Sequence, residues 1–561
     1  MEAPIKPAPM NRTKKSKKIK WDFWNLVMIA AFALILLFLL YPLFNIFVKS
    51  FYYEGKFSLE TYKDFFTLKY YYGALINSFI VCISATFFAT LIGVPVAYIM
   101  TRFDIPFKGL IHILIILTLL SPPFIGAYSW ILMLGNNGYI TNFLHDLGLN
   151  VKSIYGLHGM IWVFSIQFYP HIYLYVSGAL KTVDSSLEEA AESLGSQRWR
   201  KLRTVTLPLI FPTLSTGALM VFMASFADFG TPMLLGQGIK VLPILAYEQF
   251  INEMGSNPAM ASTLSMILLA VSTSILFLQR YLVTRKSFSM SSMRPPKVIK
   301  LKPLQKFFAM LFIAIVVGVS MIPQATVIYT SFLKTNGPVF TNQFSLDSYR
   351  EILFKVPQAI IHTFTYSSIA IVFMVISGLL LSYVIVRRNS KLSSLLDAFI
   401  MIPYVIPGTV LGISLIIAFN KPPMVLTGTW IILVIAYCIR KLPYTMRSST
   451  AILYQIDKSV EEASISLGVP PMKTFFKTTA VLMLPGVLSG AILSWVTTIN
   501  ELSSTIVLYA GHTATITVTI YREVFTANFG TAAALASILS FCTILSLVVV
   551  NMLSGKKGIS M

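Results

Sequence analysis

The sequence predicts an all-α polytopic membrane protein of about twelve spanning helices, arranged as two parallel six-helix repeats. Three observations carry that prediction. Hydrophobic residues make up 56% of the 561-residue chain and charged residues only 12%, against about a quarter charged in a soluble globular protein. Apolar runs long enough to cross a bilayer, roughly 20 residues each, recur twelve times. Landmark residues of the first half return in the second at a fixed spacing.

The runs fall at 24–48, 73–100, 109–133, 157–180, 208–230 and 260–283, then at 307–332, 360–386, 393–419, 424–446, 480–507 and 529–552. The first is too long for a signal-peptide core and has no small-residue cleavage site, so it reads as a retained span. The run at 424–446 is interrupted by Arg440 and Lys441. The domain plan is a basic tail over 1–23, a first six-helix unit over 24–283, a basic linker over 284–306 containing Pro295-Pro296, a second unit over 307–552 and a short tail over 553–561.

Lys and Arg number 44 and Asp and Glu 22. Such a surplus can mark a nucleic-acid binder, but the mean hydropathy of +0.74 is too high for one, so the expected surroundings are a lipid bilayer and no nucleic acid. With the N-terminus inside, basic residues favour the cytoplasmic segments by nearly three to one, which puts both termini in the cytoplasm. Cys82, Cys438 and Cys542 lie inside apolar runs, against disulfides and Cys metal sites. His112, His145, His158, His171, His362 and His512 form no ligand spacing, so no metal centre is expected. The tyrosines of the external stretch 52–72 read as interfacial anchors.

Adding 273 to a residue number carries Pro170 onto Pro443, Asp184 onto Asp457, Glu189 onto Glu462, Gly195 onto Gly468, Pro212 onto Pro485 and Asp228 onto Glu501. An even number of helices per unit makes the repeats parallel, related by an axis along the membrane normal. Two similar walls then enclose a central pathway.

The loop after the fourth helix reads DSSLEEAAESLGSQRWRKLRTVTLPLIFP in the first half. Asp184 is a good N-cap. Leu187, Ala190, Ala191 and Leu194 recur at helical spacing and form one apolar stripe, and Gly195 ends the helix. The second copy, DKSVEEASISLGVPPMKTFFKTTAVLMLP, has Val460, Ala463, Ser464 and Leu467, followed by Gly468. One such stripe is an ordinary amphipathic helix. Two at matching places in a duplicated membrane protein look like docking elements, with small residues allowing close approach.

Glu189, Ala190, Ala191, Gly195, Val205, Leu207 and Pro208 fit the Glu-Ala-Ala signature of inner-membrane permeases of ABC importers, which this chain resembles over essentially its whole length. Glu462, Ala463, Ser464 and Gly468 match in the second half, where Ala480 and Val481 replace the Leu-Pro and Pro485 is kept. The resemblance implies the type I importer permease fold, fused in duplicate in one chain of a bacterial inner membrane. It implies that both loops are coupling helices seated on a homodimeric ATP-binding subunit, and that an extracytoplasmic solute-binding protein delivers the solute. The pairs Gly55-Lys56 and Gly555-Lys556 are followed by Phe and Lys instead of Ser or Thr, so neither is a P-loop. The expectation is a transport subunit, not an enzyme, with no cofactor of its own and with ATP and Mg held by the partner.

Asp228 and Glu501 are the two carboxylates well inside spans, and intramembrane ionisable groups are functional candidates by default. Each reads either as a pathway or gate residue or as a structural group near a helix end, with Arg440 a partner for Glu501. Their contexts, FADFGTPMLLG and INELSSTIVLY, resemble the fused permeases of ferric iron importers. That resemblance implies ferric iron as the solute, a hard cation suited to carboxylates. Similar permeases serve aminoethylphosphonate, thiamine, polyamines and oxyanions such as sulfate and molybdate. An ion-coupled secondary transporter is the competing class, and the doubled coupling loop argues against it.

Overall fold

The computed structural model describes residues 22–150, 152–251, 257–285, 298–388 and 390–553. Most of the predicted N-terminal tail, the centre of the linker and most of the C-terminal tail lie outside the described residues.

The first half contains α1 (Phe23–Ser50), α2 (Lys69–Arg102), α3 (Lys108–Leu120), α4 (Pro123–Leu134), α5 (Leu157–Thr182), α6 (Ser185–Ser193), α7 (Leu207–Ala227) and α8 (Pro258–Arg285). The second repeats the order as α9 (Pro303–Ser331), α10 (Pro357–Arg388), α11 (Lys391–Met401), α12 (Gly408–Phe419), α13 (Trp430–Gln455), α14 (Lys458–Ser466), α15 (Ala480–Ile499) and α16 (Phe529–Leu553). Eight helices among the described residues are long and apolar enough to cross a bilayer, and two bent pairs raise that to ten. The helices α5 and α13, 26 residues each, are long enough but too polar to qualify by composition. Together these give the expected twelve.

Two predicted spans are broken. The run at 109–133 bends by 97° between α3 and α4, and the run at 393–419 bends by 106° between α11 and α12. Proline is the cause in both. It lacks an N–H and clashes with the preceding turn, and it drives the residue before it out of the helical region. Ser121 and Pro122 are extended before Pro123 starts α4, and Pro407 is extended before Gly408 starts α12. The run at 424–446 is also misplaced, since α13 begins at Trp430 and continues through Arg440 and Lys441 to Gln455.

Each core is a three-helix layer, α2 with α5 and α7, and α10 with α13 and α15. The first helix of each half crosses to the other. Helix α1 packs on α10, α11 and α12, while α9 packs on α3 and α4. Hydroxyls and amides fasten the second crossing. Ser129 donates to the Pro323 carbonyl at 2.9 Å, Thr118 donates to Ser320 at 3.1 Å, and the Gln324 amide and the Ser121 hydroxyl meet at 2.7 Å. Apolar packing gains little between helices already in lipid, so such bonds and close contacts hold the interface.

The repeat uses two spacings. Helices from α5 to the end of α7 map onto α13 to α15 by 273, but α2, Pro122 and α4 map onto α10, Pro407 and α12 by 285. The difference is an extension after α4, which carries the short helix Tyr139–Asp146.

Candidate functional site

A cavity of about 520 Å³ lies where the broken spans meet the ends of α7 and α15. Helix α7 stops at Ala227, and Asp228 leaves it in an extended conformation. Its carboxylate accepts the backbone N–H of Thr231 at 2.9 Å, at the start of the next short helix. Helix α15 stops at Ile499, and Glu501 accepts both the N–H and the hydroxyl of Ser504 at 3.1 Å. Both carboxylates therefore satisfy backbone donors freed by a helix break. Both also line the cavity.

Their surroundings differ. Glu501 is buried and forms ion pairs with Arg440 and, at 2.6 Å, with Lys441, both on α13. Among the described residues Asp228 has no cation within ion-pair distance. The first-half equivalents of Arg440 and Lys441 are Gln167 and Phe168. Gln167 donates to the Thr118 and Ser121 carbonyls at 2.7 and 2.8 Å, satisfying the acceptors that the α3 break frees. The second-half wall thus holds two cations against one carboxylate, and the first-half wall holds one carboxylate without a cation. Arg440 fits because Gly408 opens α12. A Cβ there would sit 2.6 Å from the Arg440 guanidinium and 2.9 Å from the Ser504 nitrogen.

The loops after α5 and α13 form the second region. Asp184 caps α6 through the Ser186 N–H at 2.9 Å, and Asp457 caps α14 through Ser459 at the same distance. That bond holds the Asp457 carboxyl below its usual range. Gly195 and Gly468 sit at φ +80° and +84°. The bonds Ser196 N–H to Ala191 carbonyl and Gly195 N–H to Glu192 carbonyl close α6 in a Schellman motif, and Val469 and Gly468 repeat both. A Cβ on either glycine would meet no atom within 4 Å, so the backbone conformation, not space, calls for glycine. Ala190, Glu462 and Ala463 are exposed, Glu189, Ala191 and Ser464 are half-buried, and Leu187 and Val460 are exposed on the same faces. Leu194 and Leu467, at 87% and 85% exposed, have nothing among the described residues to cover them.

After each loop the chain enters its long helix through a five-residue π turn, Leu202–Thr206 and Phe475–Thr479. The replacement of Leu207-Pro208 by Ala480-Val481 therefore leaves the backbone path unchanged.

The sequence matches the family described as binding-protein-dependent transport system inner membrane component twice, over residues 89–288 and 374–557. The chain belongs to that family. It is 30% identical over 502 residues to the ferric transport system permease protein FbpB of Actinobacillus pleuropneumoniae, covering 88% of this chain and 73% of the relative. It is 30% identical over 489 residues to the putative ferric transport system permease protein FbpB 1 of Haemophilus influenzae, covering 86% and 76%. The molybdenum transport system permease protein ModB of Escherichia coli is 30% identical over 146 residues, 26% of this chain and 63% of the relative. Membership makes the chain an inner-membrane transport subunit, not a catalytic enzyme, that works with a solute-binding protein and an ATPase.

Several residues of this permease's site escaped sequence reasoning. Lys441 joins Arg440 on Glu501. Glu188 and Glu461, each one residue before the expected Glu189 and Glu462, pair with Arg102 and Arg387. The available signal was a Tyr-x-x-x-Arg sequence ending the second long helix of each half, Tyr98 to Arg102 and Tyr383 to Arg387. It repeats at 285, so a search at 273 passes over it.

Proposed function

We propose that this chain alone forms both walls of the translocation pathway of an ATP-driven importer, and that its solute is ferric iron handed over by an external binding protein. In this reading α6 and α14 each seat one subunit of a homodimeric ATPase, which holds the ATP and Mg. Leu187, Glu189, Ala190, Ala191, Leu194 and Gly195 form one docking element, and Val460, Glu462, Ala463, Ser464, Leu467 and Gly468 form the other. Both termini face the cytoplasm, units 24–283 and 307–552 are the two permease units, and 284–306 joins them. Asp228, Glu501 and Arg440 act on the pathway or its gate.

The observation that carries the transport reading is the pair of capped helices with matching exposed leucines, Leu194 and Leu467. The iron assignment rests on the relatives named for ferric transport, similar over most of both chains. One observation favours a second solute class: Arg440 and Lys441 on the cavity wall suit an oxyanion such as molybdate, and one relative is named for molybdenum transport. Reconstitution with the ATPase and binding protein in proteoliposomes separates them. Saturable, ATP-dependent uptake of radiolabelled iron(III) supports the reading, and uptake of molybdate without iron replaces it with the second.

A further inference from the structure

Helix α6 has nine residues, and its Leu187 and the C-cap residue Leu194 face outward. Glu188 ties it to the membrane core. Glu188 points inward and pairs with the Arg102 guanidinium at 2.7 Å, at the cytoplasmic end of α2. The same oxygen accepts the Thr206 hydroxyl at 3.0 Å, at the residue before α7. In the second half Glu461 pairs with Arg387 at 2.8 Å, at the end of α10, and accepts the Tyr383 hydroxyl at 3.1 Å. Arg387 also donates to the Ile456 carbonyl at 2.9 Å, where α13 ends.

We propose that Arg102–Glu188 and Arg387–Glu461 are positioning struts, the links that carry movement of the docked helices into the membrane core. All four side chains are largely buried. A charge-assisted pair in such a place is short, directional and costly to break, whereas an apolar contact can slide. Each strut also reaches a helix that ends in, or carries, the charge of its own half. Thr206 leads into α7, whose far end is Asp228. Ile456 ends α13, which carries Arg440 and Lys441. A continuous helix at about 1.5 Å per residue is the rigid element between. The end of α2 is also bound to the linker: the Ile299 N–H donates to the Arg102 carbonyl at 2.8 Å, and the Asp104 N–H donates to the Ile299 carbonyl at 3.2 Å. The arrangement occurs twice at non-adjacent places in the sequence. That is expected of a shared mechanical part.

The proposal rests on the reading of α6 and α14 as docking helices. Its test is the number of solute molecules moved per ATP hydrolysed, measured on the complex of the full chain with its ATPase and loaded binding protein in proteoliposomes. Arg102→Ala and Arg387→Ala are expected to keep the ATPase bound, to keep hydrolysis within about twofold and to cut solute per ATP by at least about tenfold. Reversed pairs, Arg102→Glu with Glu188→Arg and Arg387→Glu with Glu461→Arg, are expected to recover the ratio several-fold over the single changes. If an alanine variant fails to accumulate, Arg→Lys replaces it, with an intermediate ratio expected and a wild-type ratio counting against the struts. A wild-type ratio in assembled single variants overturns the proposal. So does loss of ATPase binding that the reversed pairs do not restore, since the pairs would then only fold the loop. Failure of the docking reading shows separately, as an ATPase that stays bound when Ala190 and Ala463 are changed to Arg.

Discussion

Asp228 and Glu501 hold the same post in the two halves: each ends a long helix and accepts the backbone N–H three residues ahead, from Thr231 and from Ser504. Only Glu501 is neutralised, by Arg440 and Lys441. The repeat has kept the capping bond and divided the charge, so equal substitutions at the two posts have unequal effects.

Glu501→Gln leaves two buried cations facing a neutral amide. Removing one partner of a buried pair typically costs about 3–5 kcal/mol. Asp228→Asn keeps a carbonyl to accept the Thr231 N–H and loses about 1 kcal/mol. Thermal unfolding in nanodiscs is expected to show a large drop for the first and a small one for the second. Equal drops would mean that the two environments are alike.

The double variant Asp228→Asn with Glu501→Gln separates pathway from gate. Reduced uptake with persisting ATPase stimulation by loaded binding protein is the expected result if the carboxylates guide a cation. Hydrolysis that no longer requires loaded binding protein is expected if they hold the gate. Normal uptake with normal coupling would leave both carboxylates as helix caps.

The docking faces are tested by bulk and charge. Ala190→Arg or Ala463→Arg places a long cation where the stripe is small and exposed. Co-purification of the ATPase is expected to fall at least about tenfold, which corresponds to about 1.4 kcal/mol of lost affinity. Assembly and turnover unchanged in both variants would remove α6 and α14 from the interface.

Gly195→Ala and Gly468→Ala test the turn that follows each docking helix. A Cβ in the left-handed region costs about 1–2 kcal/mol and finds no clash at either site. Faster amide exchange is expected at Ser196 or Val469, the donors of the closing bonds. Exchange unchanged from the parent protein would mean that the turn does not depend on glycine.

Most of the architecture was legible because lipid imposes length and apolarity on every span, and because the docking loops repeat cap, stripe and glycine in one short stretch. The breaks at Pro122 and Pro407 were present in the sequence, but they lie inside apolar runs whose composition alone reads as continuous. Helix α13 was misjudged because Arg440 and Lys441 look like an interruption until the distant Glu501 is seen to neutralise them. The site's remaining partners come from chain segments that only folding brings together. Glu188 illustrates this: nothing adjacent marks it over Glu189, and its partner Arg102 lies 86 residues upstream.

In the proposed function one duplicated chain, driven by an ATPase pair, is the whole pathway. Native mass spectrometry and uptake on the same reconstituted preparation test it most directly. The expected result is one 62.5 kDa chain with two ATPase copies, and iron(III) uptake that needs both ATP and loaded binding protein. Two copies of this chain in the active complex, or uptake driven by an ion gradient without ATP, would contradict it.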